Sequence, residues 1–170
     1  DVRLLDIGKG DHRGDGIAPV GNPIAFARAL AVAAYERRLL HLHTNGANMK
    51  SWAIASAVSL AGRAGGGAVL TLHSGLGPAF LERSARARAV ARNAARRFDR
   101  IIAVNDAIAD AMRSLGVAGD RIEVIPAFSP SAALERGPLP AAWPAIRARH
   151  RLLLCAAIAP GPTYGLDVLL

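Results

Sequence analysis

Cysteine is almost absent. Cys155 is the single one among 170 residues, so no internal disulfide can form and a reducing cytosol is the expected compartment. Aromatic residues make up 5 % of the chain, too few for the stacking platforms on which single-stranded nucleic acid is held, and nucleic acid is not expected as a partner. No apolar run approaches the ~20 residues that a membrane-spanning helix needs, and no basic–apolar–small-residue leader opens the sequence. The phosphate-cradling patterns G-x-x-x-x-G-K-[ST] and G-x-G-x-x-G between strand and helix are both missing. So is the G-x-S-x-G elbow that a serine hydrolase of α/β architecture would need. No clustering of Cys, His and Asp has metal-ligand spacing, so no metal is expected. Acidic side chains are scarce, 13 against 21 basic, and the +8 net charge comes almost wholly from arginine. Such a surface attracts phosphate, nucleic acid or anionic lipid, unless the Ala/Arg bias is compositional only.

What is present reads as a globular α/β domain. Hydrophobic residues reach 52 % and charged ones 20 %. Alanine supplies much of the apolar share, which predicts a thin-walled, helix-rich core. Strand-like runs are expected at residues 2–7, 39–43, 68–72, 101–104, 121–125 and 151–158. Helices are expected at 23–38, 50–63, 78–98 and 106–115, with another starting at 165. A polar Gly-rich stretch fills 8–21, and a Pro-rich stretch from Pro130 to Pro144 reads as a linker. Strands alternating with helices predict βαβ units: a Rossmann-like parallel sheet flanked by helices on both faces. The domain reading is 1–129, then a linker and helix at 130–150, then the start of a second domain at 151–170.

In such sheets ligands sit beyond the carboxyl ends of the strands. That rule selects His43 with the turn Thr44, Asn45, Gly46 and Asn48, then His73, Ser74 and Gly75, then Asn105 and Asp106, then Phe128 and Ser129. His41 and His43 are expected to point to opposite sides of their strand, with His41 a packed core histidine. His73, at a central strand end and followed by Ser-Gly, suits hydrogen bonding to a sugar hydroxyl or a phosphate, because imidazole donates or accepts near neutral pH. The helix predicted at 78–98 sets Phe80, Ala87, Ala91, Ala94 and Phe98 against Arg83, Arg86, Arg88, Arg92, Arg96 and Arg97. Its basic side reads either as a solvated face or as a surface for anionic lipid or an anionic substrate. Arg13-Gly14-Asp15 is read as a chance tripeptide.

Five motifs in order then carry a resemblance. They are the strand ending His41-Leu42-His43, the strand ending Thr71-Leu72-His73, the run from Asp99 through Ile101 and Ile102 to Val104-Asn105, the pair Gly116-Val117, and Arg121-Ile122-Glu123-Val124-Ile125-Pro126. Over roughly residues 39–170 the chain resembles glycosyltransferase family 4, retaining enzymes of the GT-B fold. The resemblance implies hexosyl transfer of the kind that builds polysaccharides in bacteria. A nucleotide-sugar would be the donor, a substrate and not a cofactor. A glycan, a lipid-linked molecule or a small molecule would be the acceptor. It implies a cytoplasmic enzyme, with peripheral contact at an anionic inner membrane face as a further expectation. Residues 1–129 become the acceptor-side domain without its first strand, and 151–170 the start of the donor-binding domain. His73 would stand at the reacting centre, and His43, Thr44, Asn45, Gly46, Asn48, Ser74, Gly75 and Asn105 would bind substrate. Tyr164 and Gly165 would lie on the donor-phosphate side. Tyr164 stands where the family often has Lys, and Ala156-Ala157 where it often has Gly-Arg. The family's first strand and its second-domain acidic motif fall outside these residues, so the chain reads as a fragment, inactive alone. Two other readings stay open. One is a GT-B-like sugar-nucleotide epimerase. The other is a non-catalytic Rossmann-like domain binding anionic lipid or nucleic acid through its Arg-rich helix.

Overall fold

Parallel pairing organises the chain, as the strand–helix alternation predicts. The computed structural model describes residues 3–7, 17–20, 22–127, 139 and 141–149. The chain divides into two units, Asp1–Ser129 and Pro130–Leu170. In the first, the elements run β1 (Leu4–Asp6), β2 (Ile17–Pro19), α1 (Pro23–Tyr35), β3 (Leu40–Thr44), α2 (Met49–Ala64), β4 (Ala68–Leu72), α3 (Leu76–Arg83), α4 (Ala85–Ala95), β5 (Arg100–Ala103), α5 (Asp106–Ser114), a 3-10 turn (Gly119–Arg121) and β6 (Ile122–Val124). The described element of the second unit is α6 (Trp143–Arg149). The strand expected at 151–158, the helix from 165, and Phe128, Ser129, Ala156, Ala157, Tyr164 and Gly165 lie outside the described residues.

Strands β3, β4, β5 and β6 form one sheet in sequence order, every pair parallel. β1 and β2 form a separate parallel pair. β2 falls inside the stretch expected to be irregular. Ile17-Ala18-Pro19 is too short to carry a period, and it becomes a strand only through its partner β1.

Register explains the core. Leu42, Leu70 and Ile101 are paired across three strands and are all buried. On that face Trp52, Ala55 and Val58 of α2, Ala87, Ala91, Ala94 and Ala95 of α4, and Ile108, Ala109 and Met112 of α5 join them in one cluster. Alanine at the α2–α4 contact lets the two helices pack closely, and four alanines of α4 are fully buried. The other face carries His41, Val69 and Arg100 in one row and His43, Thr71, Ile102 and Glu123 in the next. His41, His43, Arg100 and Glu123 are exposed there, while Val69 and Ile102 are half-buried. The expected parallel sheet flanked by helices is present. Among the described residues, α2, α4 and α5 share one side of the sheet.

The single helix expected over 78–98 is two. Ser84 is extended, at φ −136° and ψ 106°, and its Oγ accepts from the Ala87 N–H at 3.1 Å, capping α4. A serine hydroxyl offers the backbone this local alternative to continuing a helix. Asp99, the acidic residue before β5, accepts from the Ala68 N–H at 2.7 Å and so satisfies the first amide of β4.

Candidate functional site

The carboxyl ends of β3 and β4 are tied together where the His73 N–H meets the Thr44 carbonyl at 3.4 Å. Beyond β3 the turn is pinned by its own side chains. Asn45 Oδ1 accepts from the Ala47 N–H at 3.0 Å and from Ser51 Oγ at 2.8 Å. Asn48 is the N-cap of α2, its Oδ1 accepting from the Ser51 N–H at 2.9 Å. Gly46 sits at φ +65°, where an L side chain is strained. A Cβ there would also stand 2.9 Å from Leu72 Cδ2. The Gly46 carbonyl accepts from the buried Trp52 Nε1 at 2.9 Å. Ser51 and Trp52, neither of them marked out in the sequence, thus hold the turn that was marked out. Their signal was only an apolar-face tryptophan one turn into a helix.

Beyond β4 the His73 ring is exposed and has no side-chain partner among the described residues. Ser74 Oγ accepts from the Leu76 N–H at 3.2 Å, shaping the start of α3. Gly75 has open space where a Cβ would be. Beyond β5, Asn105 caps α5, its Oδ1 accepting from the Ile108 N–H at 3.0 Å. The side-chain oxygens of Asn45, Asn48 and Asn105 are therefore engaged in fold-building. The Asn48 amide NH2 also donates to Asn45 Oδ1, at 3.5 Å, so among the described residues the NH2 groups of Asn45 and Asn105 and the His73 ring are what remains to meet a ligand. Beneath the turn, a cavity of about 10 Å³ is lined by Asn45, Gly46, Trp52, Leu72 and Ser74 among others. That is the scale of a single water. Among the described residues, the carboxyl ends of β3, β4 and β5 thus present a rim and not a pocket.

The two histidines of β3 do not point to opposite sides. Their rings lie 4.2 Å apart, tilted by 39°, because side chains two residues apart share one face of a strand. Nor is His41 a core histidine: it is exposed, with Nε2 2.8 Å from Thr71 Oγ1. Partial burial, and then the charge of the adjacent His43, lower its pKa from 6.5. The folded chain thus holds the proton less tightly than the unfolded chain. The stability this contributes is complete above the unfolded pKa and is lost as pH falls through the lowered folded value. Melting temperature is expected to fall between pH 7.5 and 5, and His41→Gln to flatten that fall. Parallel melting profiles for the two proteins would show that His41 carries no such linkage.

No group of three or more His, Cys, Asp or Glu that could hold a metal occurs among the described residues. No described helix is long and apolar enough to cross a membrane.

A family model, Glycosyltransferase Family 4, matches residues 12–128, more than half of the chain. The chain belongs to glycosyltransferase family 4. The match takes in every described element from β2 to β6. It begins well upstream of residue 39, where the ordered motifs start, and it ends before the segment at 152–170 that resembles the second domain. Neither a curated protein nor a solved structure gives a match. As a glycosyltransferase, the domain serves an enzyme that takes a sugar donor and an acceptor. Its rim at the ends of β3, β4 and β5 is the place where the parallel-sheet rule puts substrate.

Proposed function

We propose that residues 1–129 are the acceptor-side domain of a retaining hexosyltransferase, joined through a linker and helix at 130–150 to a donor-binding domain that starts at 151–170. The donor is a nucleotide-sugar, and the acceptor a glycan, a lipid-linked molecule or a small molecule. The observation that carries this reading is the exposed His73 ring at the carboxyl end of β4, just before α3, which has no side-chain partner among the described residues. His73 donates a hydrogen bond to the transferred sugar at the reacting centre. His43, Thr44, Asn45, Gly46 and Asn48 line the acceptor side, with Ser74, Gly75 and Asn105 completing the rim. Tyr164 and Gly165 belong to the donor-phosphate side. Catalysis rests on holding the reactants in place and on stabilising the departing diphosphate by fixed donors, with no cofactor. The donor half of the machinery is assigned to the second domain, and residues 1–170 by themselves are read as inactive. The enzyme works in the cytoplasm. The exposed Arg86, Arg88 and Arg92 of α4 offer a peripheral contact to anionic lipid.

The test is release of nucleoside diphosphate by the complete protein from a panel of nucleotide-sugars, with and without a lipid-linked acceptor pool. Release from one donor that rises with acceptor is expected. A folded protein that releases none from any donor would turn the assignment toward a binding module.

A further inference from the structure

The amino ends of β4 and β5 lie at the other end of the sheet from His73. There the chain closes an open cleft of about 670 Å³ lined by Arg63, Arg96, Arg97, Arg100 and Arg121, with Asp99 as its one acidic residue. The five arginines come from four places in the fold. Arg63 is in the last turn of α2, Arg96 caps α4 with Arg97 next to it, Arg100 opens β5, and Arg121 ends the 3-10 turn.

Cations at helix carboxyl ends are ordinarily explained by the helix dipole. That explanation accounts for part of this set only. Arg121 donates to the carbonyls of Arg96, at 3.1 Å, and of Phe98, so it closes the end of α4 by itself. Arg100 donates to the Asp120 carbonyl. The Asp99 carboxylate is turned to the Ala68 N–H. Arg63, Arg96 and Arg97 have no hydrogen bond or ion pair from their guanidinium groups among the described residues. Three unpaired guanidiniums, beside two more, repel one another until an anion or salt enters between them.

The chemistry of the lining selects the anion. A guanidinium is a planar fork that grips phosphate oxygens in pairs. No aromatic ring lines the cleft among the described residues, so its lining offers charge and not an aromatic platform for a base. The glycines Gly62, Gly65 and Gly67 serve packing: a Cβ on Gly62 would stand 2.5 Å from Ala68 Cβ, and one on Gly65 2.7 Å from Ala34 Cα. Recognition therefore falls to side chains and not to a glycine cradle. The volume is that of a small-molecule site, which typically spans roughly 300–1,000 Å³. We infer that this cleft binds an oligophosphate anion, two or more phosphate groups held together, at the end of the sheet remote from the sugar-transfer rim. The inference does not rest on the donor or acceptor proposed above.

The experiment is calorimetric titration of the complete protein with tripolyphosphate at low and at physiological salt, alongside co-sedimentation with phosphatidylcholine vesicles that carry a phosphorylated inositol lipid. Charge-assisted contacts to phosphate predict binding that weakens with salt and falls at least about tenfold in Arg63→Gln/Arg96→Gln/Arg97→Gln. A control, Arg86→Gln/Arg88→Gln/Arg92→Gln, removes as much charge from α4 outside the cleft; it is read with tripolyphosphate alone, which it is expected to bind as the wild type does. Binding of tripolyphosphate alone identifies a soluble ligand. Vesicle binding lost in the cleft variant identifies a lipid headgroup. Binding of neither probe, equal binding by wild type and cleft variant, or equal loss in both triple variants overturns the inference. Unchanged circular dichroism and melting of the variants separate lost binding from lost fold.

Discussion

Trp52→Ala is expected to lower the unfolding free energy by about 3–5 kcal/mol, the range for emptying a buried aromatic site. Trp52 is 1 % exposed and is the first of the largest fully buried side chains. Much of the core around it is alanine, whose short side chains cannot lean into the space left behind. The indole also donates to the Gly46 carbonyl, so the substitution releases the turn that carries Thr44, Asn45 and Asn48. Urea unfolding of the complete protein measures the loss. Trp52→Phe separates the two contributions. It keeps most of the volume but leaves the Gly46 carbonyl without its donor, for which a cost of about 1–3 kcal/mol is expected. If Trp52→Ala costs less than Trp52→Phe, the packing account of this corner is wrong.

The second large effect is on rate. His73→Ala in the complete protein is expected to slow sugar transfer by roughly 10²–10³-fold, the scale of losing one well-placed polar stabiliser. Melting temperature should stay unchanged, because the ring is exposed and supports no other side chain. The drop should fall on kcat more than on KM if the contact strengthens in the transition state. Unchanged turnover in the folded variant removes His73 from the mechanism. Asn48 and Asn105 would make poorer probes. Both cap helices, so their removal lowers stability and activity together.

For the candidate site, the sequence marks strand ends more readily than chemistry. A histidine at the end of a buried apolar run is a local pattern, and His73 stands at the end of β4, which spans the residues expected of it. Asn45 and Asn48 were marked as substrate-facing because they follow the carboxyl end of a strand and match the family resemblance. Their oxygens are bound to Ala47, Ser51 and the start of α2. The same pattern in the sequence serves either role, and only the position of Ser51 distinguishes them. His41 was assigned to the core because its strand is apolar. Register put it in the row of Val69 and Arg100, on the open face.

By itself the sequence determined the alternation of strands and helices, the parallel sheet, the strand ends at which His43, His73 and Asn105 stand, and the family. Each of these follows from local periodicity, capping residues and short ordered motifs. Tertiary structure alone decided that Ile17–Pro19 is a strand, that one face of the sheet stays open among the described residues, and that Trp52 reaches back to Gly46. It also brought Arg63, Arg96, Arg97, Arg100 and Arg121, spread over about sixty residues of chain, into one cleft. The physical reason is the same in every case. Hydrogen-bond register and helix packing choose partners far apart in the chain, and no local period records which partners those are.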